Sequence, residues 1–215
     1  MTAIADAPAC RLYLTTPPEL VSGGVLLRDV LARFEQAAAS VDIACLLVAA
    51  PDGASDDALA AVARPLIAAA QAREIAALLP GRAALAKTLG ADGVHLDLAA
   101  ADTETLLRAY RDARKTLPED AIVGVLCPPE RHAAMEVAEA GANYVGFAGP
   151  EAPALCAWWG EMMTVPCVAF GRFDPATAGA LAGGGADFIA PEPELWNRVD
   201  PLAELAALGA AIRAG

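Results

Sequence analysis

Short apolar or β-branched runs alternate along the chain with longer stretches rich in alanine and leucine. The candidate strands are Arg11–Thr16, Ala44–Ala49, Glu74–Leu79, Gly93–Leu98, Ala121–Cys127, Tyr144–Gly149, Pro166–Gly171 and Phe188–Pro191, eight in all. Helical segments lie between them, among others Asp56–Gln71, Thr103–Leu117, Glu130–Ala140 and Pro201–Ala214. In Thr103–Leu117 the apolar Leu106, Leu107, Tyr110 and Leu117 recur at helical spacing, while Arg108, Arg111, Asp112 and Lys115 take the remaining arc. Strict β-then-α alternation predicts a parallel sheet with right-handed crossovers, and eight units favour closure over an open sheet. The expected fold is therefore an α/β (β/α)8 TIM barrel. It forms a single domain over residues 1–215, since no linker-like segment divides the chain.

An internal repeat supports that reading. "GADGVH" from Gly90, "GANYVG" from Gly141 and "GADFIA" from Gly185 share one order: Gly, Ala, Asp or Asn, then an apolar strand. The glycine is expected to end a helix in a left-handed conformation, and the Asp or Asn to close the short turn into the strand. Such turns lie at the bottom of a barrel, away from the face that carries chemistry. The stretch "GADGVHLDLAAAD" (Gly90–Asp102) then poses a question. Its strand ends where polar chemistry is expected, yet alanines fill most of that stretch.

Composition narrows the function. A chain of 215 residues, 56% hydrophobic and 20% charged, has the make-up of a folded domain rather than a disordered one. Mean hydropathy is high, at +0.42. No run of about twenty apolar residues escapes a charge, Gly or Pro, so no membrane span is expected. The opening "MTAIADAPACRLYL" lacks a basic start and a long apolar region, so no secretory leader is expected and a cytoplasmic location is. A net charge of −12 without a basic stripe argues against nucleic acid as a partner. The cysteines, Cys10, Cys45, Cys127, Cys156 and Cys167, are scattered, so reduced core thiols are expected and no zinc site.

Four stretches carry a resemblance: "RLYLTT" with the helix after it, "RAALAKTLGADGVHL", "IVGVLCPPERHAAMEVAEAGANYVGF" and "PCVAFGRFDPATAGALAGGGADFIA". In sequence and spacing they resemble the thiamine phosphate synthase family and its relatives the thiazole tautomerases. The resemblance implies a phosphate-binding barrel. Synthases of this kind join a pyrimidine pyrophosphate to a thiazole phosphate and release pyrophosphate with Mg²⁺. That chemistry calls for cations and backbone N–H groups around the leaving group, carboxylates for the metal, and glycine-rich turns after strands seven and eight.

Against the family's pattern this chain is a divergent member. After strand two it reads "CLLVAAPDG", without Gln, Arg or Lys. The family's Asn-Asp-Arg after strand three becomes Pro80, Gly81 and Arg82. Its Gly-Gln-x-Asp after strand four becomes Asp97, Leu98, Ala99 and Ala100. The Ser and His after strand five give way to Leu126, Cys127 and Pro128, and the Lys-bearing loop after strand six to "GPEAPALCAWWGEMM". Gly-Gly-Ile after strand seven becomes Gly171, Arg172 and Phe173, and the small residues after strand eight become "PEPELW". Losing four charge-assisted hydrogen bonds costs about 6 kcal/mol, on the order of 10⁴-fold in affinity. Mg²⁺ is implied by the resemblance only, and no metal ligands are assigned.

The candidate catalytic residues are Asp97 and Arg82, and a small-molecule metabolite at the mouth is the expected partner. Asp97 stands at the top of strand four, either as an acid–base group beside apolar neighbours or simply paired with Arg82. The candidate substrate-binding set is Arg172, Gly171, Gly149, Cys127, His95 and Glu192. His95 reads first as an interior histidine satisfied by its neighbours. Arg172 either grips an anion or, with Phe173, fills a vacated pocket, and filling is favoured. Cys127 reads as an inert core thiol unless a base lies beside it. Glu192, Glu194 and Glu151 are expected to make the mouth acidic. "WWGEMM" (Trp158–Met163) cannot bury every side chain on one helix face, so a subunit interface or a lid is expected there. The resemblance also implies a homodimer. Two functions follow: a barrel enzyme with altered chemistry, or an inactive paralogue that binds a metabolite or a protein.

Overall fold

The computed structural model describes residues 10–215. The expectation of no leader concerns a stretch that lies largely outside them. Eight parallel strands close into a barrel in chain order: β1 Arg11–Thr15, β2 Ile43–Leu47, β3 Ala76–Pro80, β4 Gly93–Asp97, β5 Ile122–Leu126, β6 Tyr144–Ala148, β7 Cys167–Gly171 and β8 Phe188–Pro191. The outer helices are α1 Leu27–Ala38, α2 Asp56–Gln71, α3 Ala83–Leu89, α4 Thr103–Thr116, α5 Arg131–Glu139, α6 Ala152–Met162, α7 Pro175–Gly183 and α8 Pro201–Ala214. Among the described residues no helix is long and apolar enough to cross a membrane.

Most strand ends fall within one residue of expectation, and two differ by two residues. β2 stops at Leu47, so Val48 and Ala49 begin the loop at the mouth. β3 starts at Ala76 rather than Glu74, because Glu74 adopts φ 58 and turns the chain between α2 and the strand. A side chain in that left-handed region belongs to a turn.

Four helices begin at an oxygen-bearing side chain that accepts a free N–H of the first turn. Ser55 accepts from Ala58, Asp102 from Thr105, Asp174 from Thr177 and Asp200 from Ala203. Asp102 is thereby committed to a cap.

The repeated Gly-Ala-Asp/Asn turns behave partly as expected. Gly90, Gly141 and Gly185 have φ of +69, +104 and +103, as the reversal out of a helix requires. The Asp or Asn, however, reaches across to the preceding strand. Asp92 Oδ2 accepts the N–H of Ala77 at 2.7 Å, Asn143 Oδ1 that of Val123 at 2.8 Å, and Asp187 Oδ2 that of Cys167 at 2.8 Å. Each turn therefore clasps the bottom of a neighbouring strand, and with the backbone bond from the same Asp or Asn N–H to that strand it holds register there.

Inside the barrel, Tyr13, Cys45, Leu47, Leu78, Tyr144, Val168 and Ala190 form a core separate from the one between strands and helices. Two glycines make room for rings there. A Cβ on Gly124 would sit 1.9 Å from the Tyr144 ring, and one on Gly146 would sit 2.6 Å from Phe170. Absence of a side chain on β5 and β6 thus lets aromatic groups from β6 and β7 cross the interior.

Candidate functional site

The C-terminal ends of the strands surround a cavity of about 590 Å³. Its walls are mostly apolar, with Leu47, Leu126 and Phe170 among them, and its charged lining residues are Asp52, Asp97 and Glu192. No Lys or Arg lines it among the described residues. A second depression of about 640 Å³ lies at the opposite end, between Gln71, Lys87, Asp92 and Asp120. The turn clasp at Asp92 runs through it, so that depression belongs to the architecture.

His95 forms the floor of the mouth cavity and is 5% exposed. Its Nδ1 lies 2.7 Å from the Tyr144 hydroxyl, which lies 2.9 Å from that of Tyr13. The imidazole stacks on Tyr144 with ring centroids 5.9 Å apart and tilts against Phe170 at 5.1 Å. Burial pushes its pKa down to about 4, so the ring is neutral near pH 7. Among the described residues no side chain or backbone group pairs with Nε2, while the ring borders the cavity. The expectation of a histidine satisfied by its neighbours holds for Nδ1. When the hydroxyls donate towards His95, Nε2 carries the proton and is a donor; when Nδ1 donates to Tyr144, Nε2 is an acceptor.

Asp97, two residues further along β4, lines the same cavity and is exposed. Its Oδ1 accepts the Ala99 N–H at 3.4 Å. The pairing with Arg82 does not form. Arg82 turns outward, donates to the Ala54 carbonyl at 2.6 Å and pairs with Asp56 in the first turn of α2. It secures the β2–α2 loop and does not line the mouth, because Asp56 and the Ala54 carbonyl lie within its reach.

Arg172 corrects the filling expectation. Its side chain is 75% exposed and lines a separate cleft of about 280 Å³ with Arg198, Glu204 and Leu208. Phe173 packs beside Gly171 and on the core, so neither residue fills the mouth. Cys127 is the inert core thiol that was favoured, and it stands outside the mouth with which it was grouped. Leu126 faces the cavity, so the next residue points the other way; Cys127 is buried and burial pushes its thiol up to about 12. Gly149, at φ +81, and Gly171 do line the mouth.

Glu192 lines the mouth as expected, whereas Glu194 and Glu151 are exposed outside it. Asp52 supplies the third carboxylate instead. Its signal was the Pro-Asp-Gly turn after β2, which projects one residue over the rim. Glu192 does not stand free: Arg198 Nη2 donates to its Oε1 at 2.8 Å, and Arg172 Nε lies 3.7 Å from the same oxygen. Arg198 also pairs with Glu204 of α8. Those two carboxylates, Glu204 first, raise the Arg198 pKa above its ordinary value. Tyr13, Tyr144, Phe170 and Arg198 were not singled out from sequence, although the first three sit at inward-facing strand positions.

The donor set does not suit Mg²⁺. That ion needs hard oxygens in octahedral array. Here Glu192 is held by arginine, Asp102 caps α4 and Asp56 is bound by Arg82. No group of three or more acidic, His or Cys side chains able to hold a metal exists among the described residues.

"WWGEMM" does not form a lid. α6 starts at the mouth and runs back towards the bottom, where Trp159 Nε1 donates to Val165 O at 2.6 Å just before β7. Trp159 is fully buried, Trp158 is half-buried with Arg131 4.5 Å from its ring centre, and Met162 is 64% exposed.

The family described as thiamine monophosphate synthase matches residues 12–191. A thiamine-phosphate synthase of Rhodospirillum centenum is 40% identical, covering 87% of this chain and 90% of that protein. One of Hyphomonas neptunium is 33% identical over 94% of each. Among solved structures, a thiamine phosphate pyrophosphorylase from Pyrococcus furiosus superposes with a TM-score of 0.75 at 18% identity, covering 95% of this chain and 96% of that one. A 3-hexulose-6-phosphate synthase superposes at 0.66 with 22% identity and shares the fold alone. On a family match that spans nearly the whole barrel and two full-length relatives, the chain belongs to the thiamine monophosphate synthase family.

Proposed function

We propose that this barrel has left the Mg²⁺-assisted joining of phosphorylated precursors and takes a small neutral or cationic organic ligand at its mouth. One observation carries the reading: among the described residues, three carboxylates and no Lys or Arg line the cavity. A pyrophosphate there would meet like charge without a cation to offset it, and like charges in a partly enclosed site repel strongly. His95 Nε2 would hydrogen-bond the ligand, Tyr144 would fix the imidazole, and Asp97 would meet a positive or proton-bearing group. Turnover on such a ligand would make the protein an enzyme of altered chemistry; binding alone would make it a metabolite-binding module. The free thiols suit a reducing, cytoplasmic setting.

The competing reading, an ordinary synthase, rests on the 40% identity to a protein of that name. Thermal melting with pyrophosphate and Mg²⁺ decides between them. A ligand at a hundred times its Kd adds about 2.7 kcal/mol, or roughly 5–10 °C for a chain of this size. We expect no such shift, and no thiamine phosphate from the two phosphorylated precursors; a shift of that size, or formation of the product, would restore the synthase.

Pairing of two copies across the Trp158 face of α6 belongs to the same proposal. Trp158→Asp should then sediment as a monomer where the wild type sediments as a dimer, and identical profiles would end the idea.

A further inference from the structure

Beyond the lining of the mouth lies a cation that the cavity does not touch. Arg198 follows the short 3-10 turn Pro193–Asn197, and its guanidinium lies in the cleft on the far side of Glu192. Glu192 itself lines the mouth. One carboxylate therefore stands between the cavity and a guanidinium 2.8 Å behind it, with the Arg172 guanidinium 3.7 Å away on the same oxygen. Glu204 holds the other side of Arg198, so the cation stays anchored whether or not Glu192 is present.

We propose that Glu192 is the specificity-determining residue of the mouth: an internal counter-ion that occupies Arg198 and Arg172 and so excludes anionic ligands from the cavity. This rests on the mouth being the ligand site. The Glu192 N–H donates to Gly171 O at 2.9 Å, which fixes the backbone at the junction of β7 and β8. The side chain is 29% exposed, so its removal opens a short path from the cavity to the two guanidinium groups. An anion entering there would find the partners that Glu192 now holds. A hydrogen bond to a charged group corresponds to roughly tenfold to a hundredfold in affinity, and Glu204 keeps the gain near the lower end.

The test is calorimetric titration of inorganic pyrophosphate, without metal and at low ionic strength, into the full chain. Wild type, Glu192→Ala, Glu192→Gln and the double variant Glu192→Ala/Arg198→Ala are compared. Glu192→Gln keeps the side-chain volume and an acceptor for Arg198, so it supplies a second folded sample. The expected result is at least tenfold tighter binding by both single variants than by wild type, with the gain lost in the double variant. No gain in the single variants, or a gain that survives loss of Arg198, overturns the proposal. Tight binding by the wild type would overturn both this proposal and the proposed function, whereas weak binding by all four proteins would overturn this proposal and leave the proposed function standing.

Discussion

Trp159→Ala should lower the unfolding free energy by about 3–5 kcal/mol, the range for emptying a buried aromatic site. The indole is fully buried on α6, meets the Phe147 ring edge-on with centroids 5.7 Å apart, and donates to Val165 O. Its removal leaves both a void between α6 and the sheet and an unpaired carbonyl at the entry to β7. Trp158 next to it should behave differently. Its contact with Arg131 is exposed enough that Trp158→Ala costs about 1 kcal/mol. Urea denaturation of the two variants measures the contrast. Equal losses would mean that Trp159 does not anchor the helix as its contacts imply.

Stability should also fall on mild acidification, and His95 should account for much of the fall. Its folded pKa is about 4 against an ordinary 6.5, because burial penalises the imidazolium. Between those values the unfolded chain binds a proton that the folded chain does not. The stabilisation is thus complete above about pH 6.5 and declines as pH drops towards 4. The full interval is worth about 3 kcal/mol. Denaturant midpoints at a series of pH values should show this slope in wild type and lose it in His95→Gln, in which an amide oxygen still accepts from Tyr144. A slope unchanged by His95→Gln would mean that the ring is not buried in its neutral form.

Much of the barrel was legible because its signals are local. Strand and helix periods and three Gly-Ala-Asp/Asn turns each involve residues close in sequence. The role of Asp92, Asn143 and Asp187 was only half legible. Their clasps join strands 15 to 20 residues apart and depend on register. At the site, the scarcity of Lys and Arg at the strand ends could be read position by position, but the partners of the charged groups that stand there could not. Arg82 has a long, flexible side chain with several carboxylates within range, and local loop geometry chose Asp56 over Asp97. Cys127 falls outside the substrate-binding set for a simpler reason: on a strand, one step along the chain reverses the face.

The sequence by itself determined a closed eight-stranded barrel and a mouth poor in cations, because period and residue type are properties of neighbouring positions. Tertiary structure alone decided which charges face that mouth and what lies behind them. Tyr13, His95 and Tyr144 come from β1, β4 and β6, and Arg198 reaches Glu192 from beyond β8. Barrel closure brings Tyr13, His95 and Tyr144 within hydrogen-bonding distance, and burial then keeps these three uncharged by removing the water that would stabilise charge.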